Sequence, residues 1–159
     1  MLEQEHQALA GLHERPDESF AESYFGGNKD DYDVLKHNAN TAVDGTTRNY
    51  QQMLGLARKN LTDPANYEAL AEVLDIEDFV DYMLVNFYAG NTDWAHQNWY
   101  ASYRAGDARG RWRFHSWDAE HTLKALDEDV TAKDDPAGPT AFHRRLMRNP
   151  AYRGLFSEI

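Results

Sequence analysis

Between Asp75 and Trp117 the sequence changes its period once, and that change limits the fold more than any other feature. Ile76, Phe79, Val80, Met83, Leu84 and Phe87 recur at helical spacing behind Asp75, a residue suited to cap a helix start, and the run stops at Gly90-Asn91. Val85 and Tyr88 add apolar surface on the opposite side, so this helix is expected in the centre of a helical lobe. After a loop, "NWYASYR" and "RWRFHSW" are two β-rich runs separated by "AGDARG", the pattern of a hairpin. The expected class is therefore α+β.

The flanking segments fill in around that unit. Asp17 can cap a short helix through Tyr24 that ends at Gly26-Gly27, and a short strand is expected at Tyr32 to Lys36. Tyr50, Met53, Leu54 and Ala57 share one face of a helix near 46 to 60, and Asp63-Pro64 starts another near 64 to 73. "PTAFHRRLMRN" reads as a further helix, with Pro150 beyond it. No internal repeat is visible, and 159 residues are read as a single partial domain spanning 1–159.

Composition narrows the function. With 27 acidic against 16 basic side chains the net charge is −11, which disfavours a general nucleic-acid binder. The absence of cysteine rules out disulfides and thiolate metal sites. No apolar stretch is long enough to span a bilayer, so no membrane partner is expected.

The loop and the hairpin carry the chemistry. Asp93 and Asn98 stand five positions apart after the apolar helix, and Asp118 follows the second β-rich run. Phosphoryl transfer to a hydroxyl needs a carboxylate to orient the nucleophile and accept its proton, together with oxygen ligands that hold divalent metal against nucleotide phosphates. Protein kinases meet this with D-x-x-x-x-N on a loop and a second Asp beyond a short hairpin. The order here is the same.

The chain also resembles the CotH kinases, atypical protein kinases related to a spore-coat protein. The resembling segments are "HERPDESFAESYFGGNKDDYDVLKHN", "DFVDYMLVNFYAGNTDWAHQNWY" and "WRFHSWDAEHTL". The resemblance implies a divergent protein-kinase-like fold, here mainly the helical large lobe, whose hairpin carries the metal-binding aspartate. It further implies ATP and Mg2+ or Mn2+ as cofactors, and a protein substrate phosphorylated on serine or threonine. Carried over by position, Asp93 is the expected catalytic aspartate, and Asn98 and Asp118 are the expected metal ligands. Trp112 lies on the strand leading to the metal, where kinases place an apolar side chain against adenine. Glu14 would stand near the lobe connection that contacts the nucleotide. "MLEQEHQALAGL" holds neither a glycine-rich loop nor a lysine, so a fragment short of most of the small lobe, with little activity of its own, is expected.

Each of these residues has a plainer reading. Asp93 could cap a turn, Asn98 could begin a strand, and Glu14 could sit in a solvated loop. Trp94, Trp99, Trp112, Phe114 and Trp117 suit a core. Asp118 behind Trp117 is costly to bury unless metal, a hydrogen bond or solvent receives it. A rival from another class is a non-catalytic binding or structural module. Another is a metal-dependent hydrolase built from His96, His115 and His121 with Asp93 and Asp118, although no compact ligand motif is present.

Overall fold

The computed structural model describes residues 14–125 and 127–157. The opening Met1–Leu12 segment and Leu126 lie outside them. Among the described residues six α-helices and four strands follow in the order α1 Glu18–Phe25, β1 Tyr32–Lys36, β2 Ala42–Asp44, α2 Arg48–Ala57, α3 Pro64–Ala71, α4 Ile76–Tyr88, β3 Trp99–Arg104, β4 Arg113–Ser116, α5 Pro139–Leu146 and α6 Pro150–Leu155, with a short 3-10 turn at Lys29–Asp31 before β1. The strands form one antiparallel sheet in the order β2-β1-β3-β4. The expected hairpin is therefore half of a larger sheet. Its other half includes the three-residue β2, which is too short to carry a periodic signal of its own.

Register assigns the two faces of the sheet. Leu35, Ala101 and Phe114 align across β1, β3 and β4, and all three are buried in the main core. That core is closed by Tyr50 and Met53 of α2, Phe79 and Met83 of α4, Phe142 of α5 and Tyr152 of α6. Phe114 is its hub, with its ring 5.3 to 6.4 Å from those of Tyr50, Phe79, Tyr82, Trp99 and Phe142. Burying a ring of this size contributes roughly 1.5–3 kcal/mol. On the opposite face Val34 and Tyr100 pack with Tyr32, Ala21 of α1 and the edge of Trp117.

Local chemistry explains the helix starts. Asp17 accepts hydrogen bonds from the Ser19 and Phe20 amides, and Asp63 accepts one from Ala65. Asp75 departs from its expected capping role. Its carboxylate makes no cap and accepts from Arg113 Nη2 at 2.7 Å, tying the start of α4 to β4. The Asp75 amide donates to the Trp112 carbonyl and the Trp112 amide to Val73, which reinforces the same junction.

α4 also departs from the expectation of burial all round. Phe79, Val80, Tyr82 and Met83 face the core, whereas Val85 and Tyr88 are exposed. The sheet covers only one side of the helix.

Candidate active site

Three chain segments converge at the end of the sheet where β3 begins and β4 finishes. Asn98 enters β3 in the left-handed region at φ 58°, and Asp118 leaves β4 in the same region at φ 53°. Asn and Asp are the non-glycine residues best suited to this conformation, so the turn itself favours these residue types. The Trp117 amide donates to the Asn98 carbonyl at 3.1 Å, which sets the two turns side by side.

Asn98 joins the predicted residues. Its Nδ2 donates to Asp93 Oδ2 at 3.2 Å and lies 3.4 Å from the Asp118 carbonyl oxygen. The side chain is nearly buried, so this bridging position is constrained. Asp93, half-buried, also accepts from Gln97 Nε2 on both carboxylate oxygens at 2.7 and 2.6 Å, and His96 Nε2 stands 3.5 Å away. A carboxylate surrounded by donors in this way can receive a hydroxyl proton donor if Gln97 yields its place.

A ladder of amide side chains beneath the loop holds Asp93. Asn86 and Asn91 are both buried. Asn86 Nδ2 donates to Ser116 Oγ at 3.2 Å and to the Tyr82 carbonyl, while Asn91 Nδ2 donates to Asn86 Oδ1 at 2.9 Å. The Asp93 amide completes the path by donating to Asn91 Oδ1 at 3.1 Å. One continuous polar chain thus runs from α4 to the Asp93 loop and to Ser116, two residues before Asp118. Sequence reasoning passed over Asn86 and Gln97. The available signal was Asn86 itself, a polar residue on the apolar face of α4 that burial would tolerate only with partners.

The segment after Asp118 folds back to close the site. The Thr92 amide donates to the His121 carbonyl and the Leu123 amide to the Ala89 carbonyl, stapling residues 121–123 onto the end of α4. From the other side, Gly138 lies so close to the Ala95 carbonyl that a Cβ would collide with it, which seats the start of α5 under the Asp93 loop.

Asp118 is exposed and lines a cleft of about 580 Å³ together with Glu14, Ser116, Trp117, Ala119 and Glu120. Glu14 thus shares a cleft with Asp118 despite lying 104 positions away in sequence, and its carboxylate accepts from Tyr24 Oη at 2.9 Å. Lys36 reaches toward the same end of the sheet, its Nζ 5.4 and 5.7 Å from the ring centroids of Tyr100 and Trp117.

Trp112 is not brought to this cleft. It is fully buried, stacked on Tyr103 with centroids 5.2 Å apart and edge-on to Tyr50 at 5.1 Å. A ring enclosed on both sides offers no face to adenine, so the expected nucleotide contact is corrected to a core role. The residue shares the core-facing side with Phe114, two positions on, and its backbone bridges to Leu74 just before β4 begins.

The histidines are dispersed. His115 faces α1, bonded to Ser102 Oγ at 2.8 Å and stacked on Phe25, where burial and the nearby Arg113 hold its pKa down to about 4. His121 lies beside Glu120 and Lys124, and His96 beside Asp93. Among the described residues no group of three His, Cys, Asp or Glu side chains could hold a metal, which removes the geometric basis of the hydrolase reading.

Among the described residues the Asp118 carboxylate and Asn98 Oδ1 make no hydrogen bond, which leaves oxygen donors free on either side of the turn. Oxygen donors of this type are the kind a magnesium ion takes beside water and nucleotide phosphates. No helix among the described residues is long and apolar enough to cross a membrane.

Neither the curated proteins nor the solved structures compared with this chain give a match. The family model described as CotH kinase protein matches residues 3–159, and with that match across nearly its whole length the chain belongs to the CotH kinase family.

Proposed function

We propose that the protein transfers the γ-phosphoryl group of ATP to a serine or threonine hydroxyl of a protein substrate. The observation that carries this reading is Asn98, whose side chain stands between the Asp93 carboxylate and the Asp118 turn. Membership of a kinase family supports it.

Each residue has a part. Asp93 orients the acceptor hydroxyl and takes its proton as the oxygen bonds to the γ-phosphorus; the bond to the β–γ bridging oxygen breaks and ADP leaves. Asp118 and Asn98 would hold Mg2+ or Mn2+, which supplies charge neutralisation at the phosphates when bound. Glu14 borders the nucleotide end of the cleft. Buried Asn86 and Asn91 fix the position of Asp93, so catalysis rests on positioning and charge.

The test is a thermal melt with Mn2+ and ATP. The pair is expected to raise the melting temperature of the wild-type chain, Asp118→Ala to remove that rise, and Asp93→Asn to retain it. Equal stabilisation of Asp118→Ala would refute the metal assignment.

A further inference from the structure

A group of arginines with a single acidic partner among the described residues stands away from the Asp118 cleft. The last turn of α5 carries Arg144 and Arg145, Arg148 lies just beyond it, and Arg58 caps the end of α2. A pocket of about 350 Å³ is lined by Asp134, Pro136, Ala141, Arg144, Arg145 and Arg148. Asp134 pairs with Arg144. Among the described residues no acidic side chain pairs with Arg58, Arg145 or Arg148. In a chain with 27 acidic side chains against 16 basic ones, three such neighbours are unexpected.

Arg145 shows the cost. Its Nη1 is shut off from solvent and has no hydrogen-bond partner. Desolvation, followed by repulsion from Arg58 and Arg148, lowers its pKa. The C-terminal ends of α2 and α5 favour cations, but a helix dipole supplies no acceptor to a buried guanidinium N–H.

We infer that this pocket binds a tetrahedral oxyanion of the phosphate class, with Arg145 and Arg148 as its main donors and Arg58 adding charge. A single carboxylate would leave the surplus positive charge largely uncompensated. A phosphate dianion has both the charge and the number of acceptor oxygens to satisfy several guanidinium forks. The pocket shares no residue with the cleft of Glu14, Asp118 and Glu120, whose carboxylates repel a metal-free phosphate. The ligand is either free phosphate or a phosphorylated side chain, since both present the same chemistry.

The experiment titrates the chain with inorganic phosphate in the presence of EDTA, following binding by calorimetry and stability by thermal melt. Phosphate is expected to bind the wild type and raise its melting temperature. Arg148→Ala, at an exposed position, should weaken binding about tenfold or more, the size of one charge-assisted hydrogen bond. Arg145→Met should abolish binding, yet leave the phosphate-free melting temperature unchanged or higher, because it removes a guanidinium N–H that is shut off from solvent without a partner. The Arg109→Ala, Arg111→Ala double variant removes charge from the β3–β4 turn and should leave binding intact. The inference is overturned if phosphate fails to bind the wild type, if the double variant weakens binding as much as Arg148→Ala, or if acetate binds equally well. A phosphoserine peptide compared with its unphosphorylated form then assigns the source. Tighter binding than free phosphate points to a protein side chain, equal binding points to the free ion, and binding that ignores the phosphoryl group overturns the site.

Discussion

Asn86→Ala tests the amide ladder beneath the candidate active site. In the wild type Asn86 donates to Ser116 Oγ and the Tyr82 carbonyl and accepts from Asn91 Nδ2, the last two bonds buried and the first part-buried. Alanine removes the central member and leaves the Asn91 amide and the Ser116 hydroxyl short of a partner. The Tyr82 carbonyl loses less, because the helix already supplies it with a backbone donor. Each orphaned buried polar group costs about 1–3 kcal/mol, so a loss of about 2–4 kcal/mol is expected once partial relaxation of the exposed Ser116 is allowed for. Urea denaturation with matched slopes measures it. Stability alone would not separate a positioning role from packing, so turnover is compared with nucleotide affinity. Displacement of the Asp93 loop should lower kcat while ATP binding changes only a few-fold. A stability loss under about 0.5 kcal/mol, or unchanged kcat, would refute the ladder as the support of Asp93.

Two further predictions concern pH and charge. Burial holds His115 and His143 near pKa 4, below the ordinary 6.5. Both are therefore neutral in the fold and bind protons more readily when unfolded. Their contribution is fully present above pH 6.5 and is lost as pH falls toward 4, by up to about 3 kcal/mol each before allowance for partial exposure. Urea midpoints measured across that window should fall steadily toward acid, and His115→Phe should flatten part of the slope. Asp78 is the opposite case. Desolvation first, then Asp75 and Asp81, raise its pKa to about 6, so its contribution is present at low pH and lost as pH rises through 6. Asp78→Asn should therefore stabilise the protein at pH 7 by about 1–2 kcal/mol, the full shift being discounted for solvent screening of this partly exposed group, and have little effect at pH 4, read from the same denaturation series.

The helix and hairpin were legible because each carries an uninterrupted period: Phe79, Val80 and Met83 on α4, and the aromatic runs of β3 and β4. The exposure of Val85 and Tyr88 was not legible, since periodicity shows which residues are apolar and not which side a sheet will cover. Spacing singled out Asp93, Asn98 and Asp118 as candidates, and the fold adds that the last two occupy left-handed turns next to each other. Trp112 shares the core face with Phe114 by strand alternation, and the elements that enclose it, Tyr50 of α2 among them, lie far away in sequence. The Asn86–Asn91 ladder and the Arg145 pocket arise from contacts between distant elements, which no local pattern records.

Phosphate incorporation from labelled ATP tests the central assignment most directly. Wild-type and Asp93→Asn chains are incubated with Mn2+ and a serine-rich protein acceptor, and ATP affinity is measured in parallel. Asp93 as the residue that aligns and deprotonates the hydroxyl predicts that whatever rate the wild type supports falls by about two to four orders of magnitude in the variant, with ATP affinity kept within a few-fold. An Asp93→Asn chain that incorporates phosphate at the wild-type rate would contradict the account and return Asp93 to the status of a turn residue.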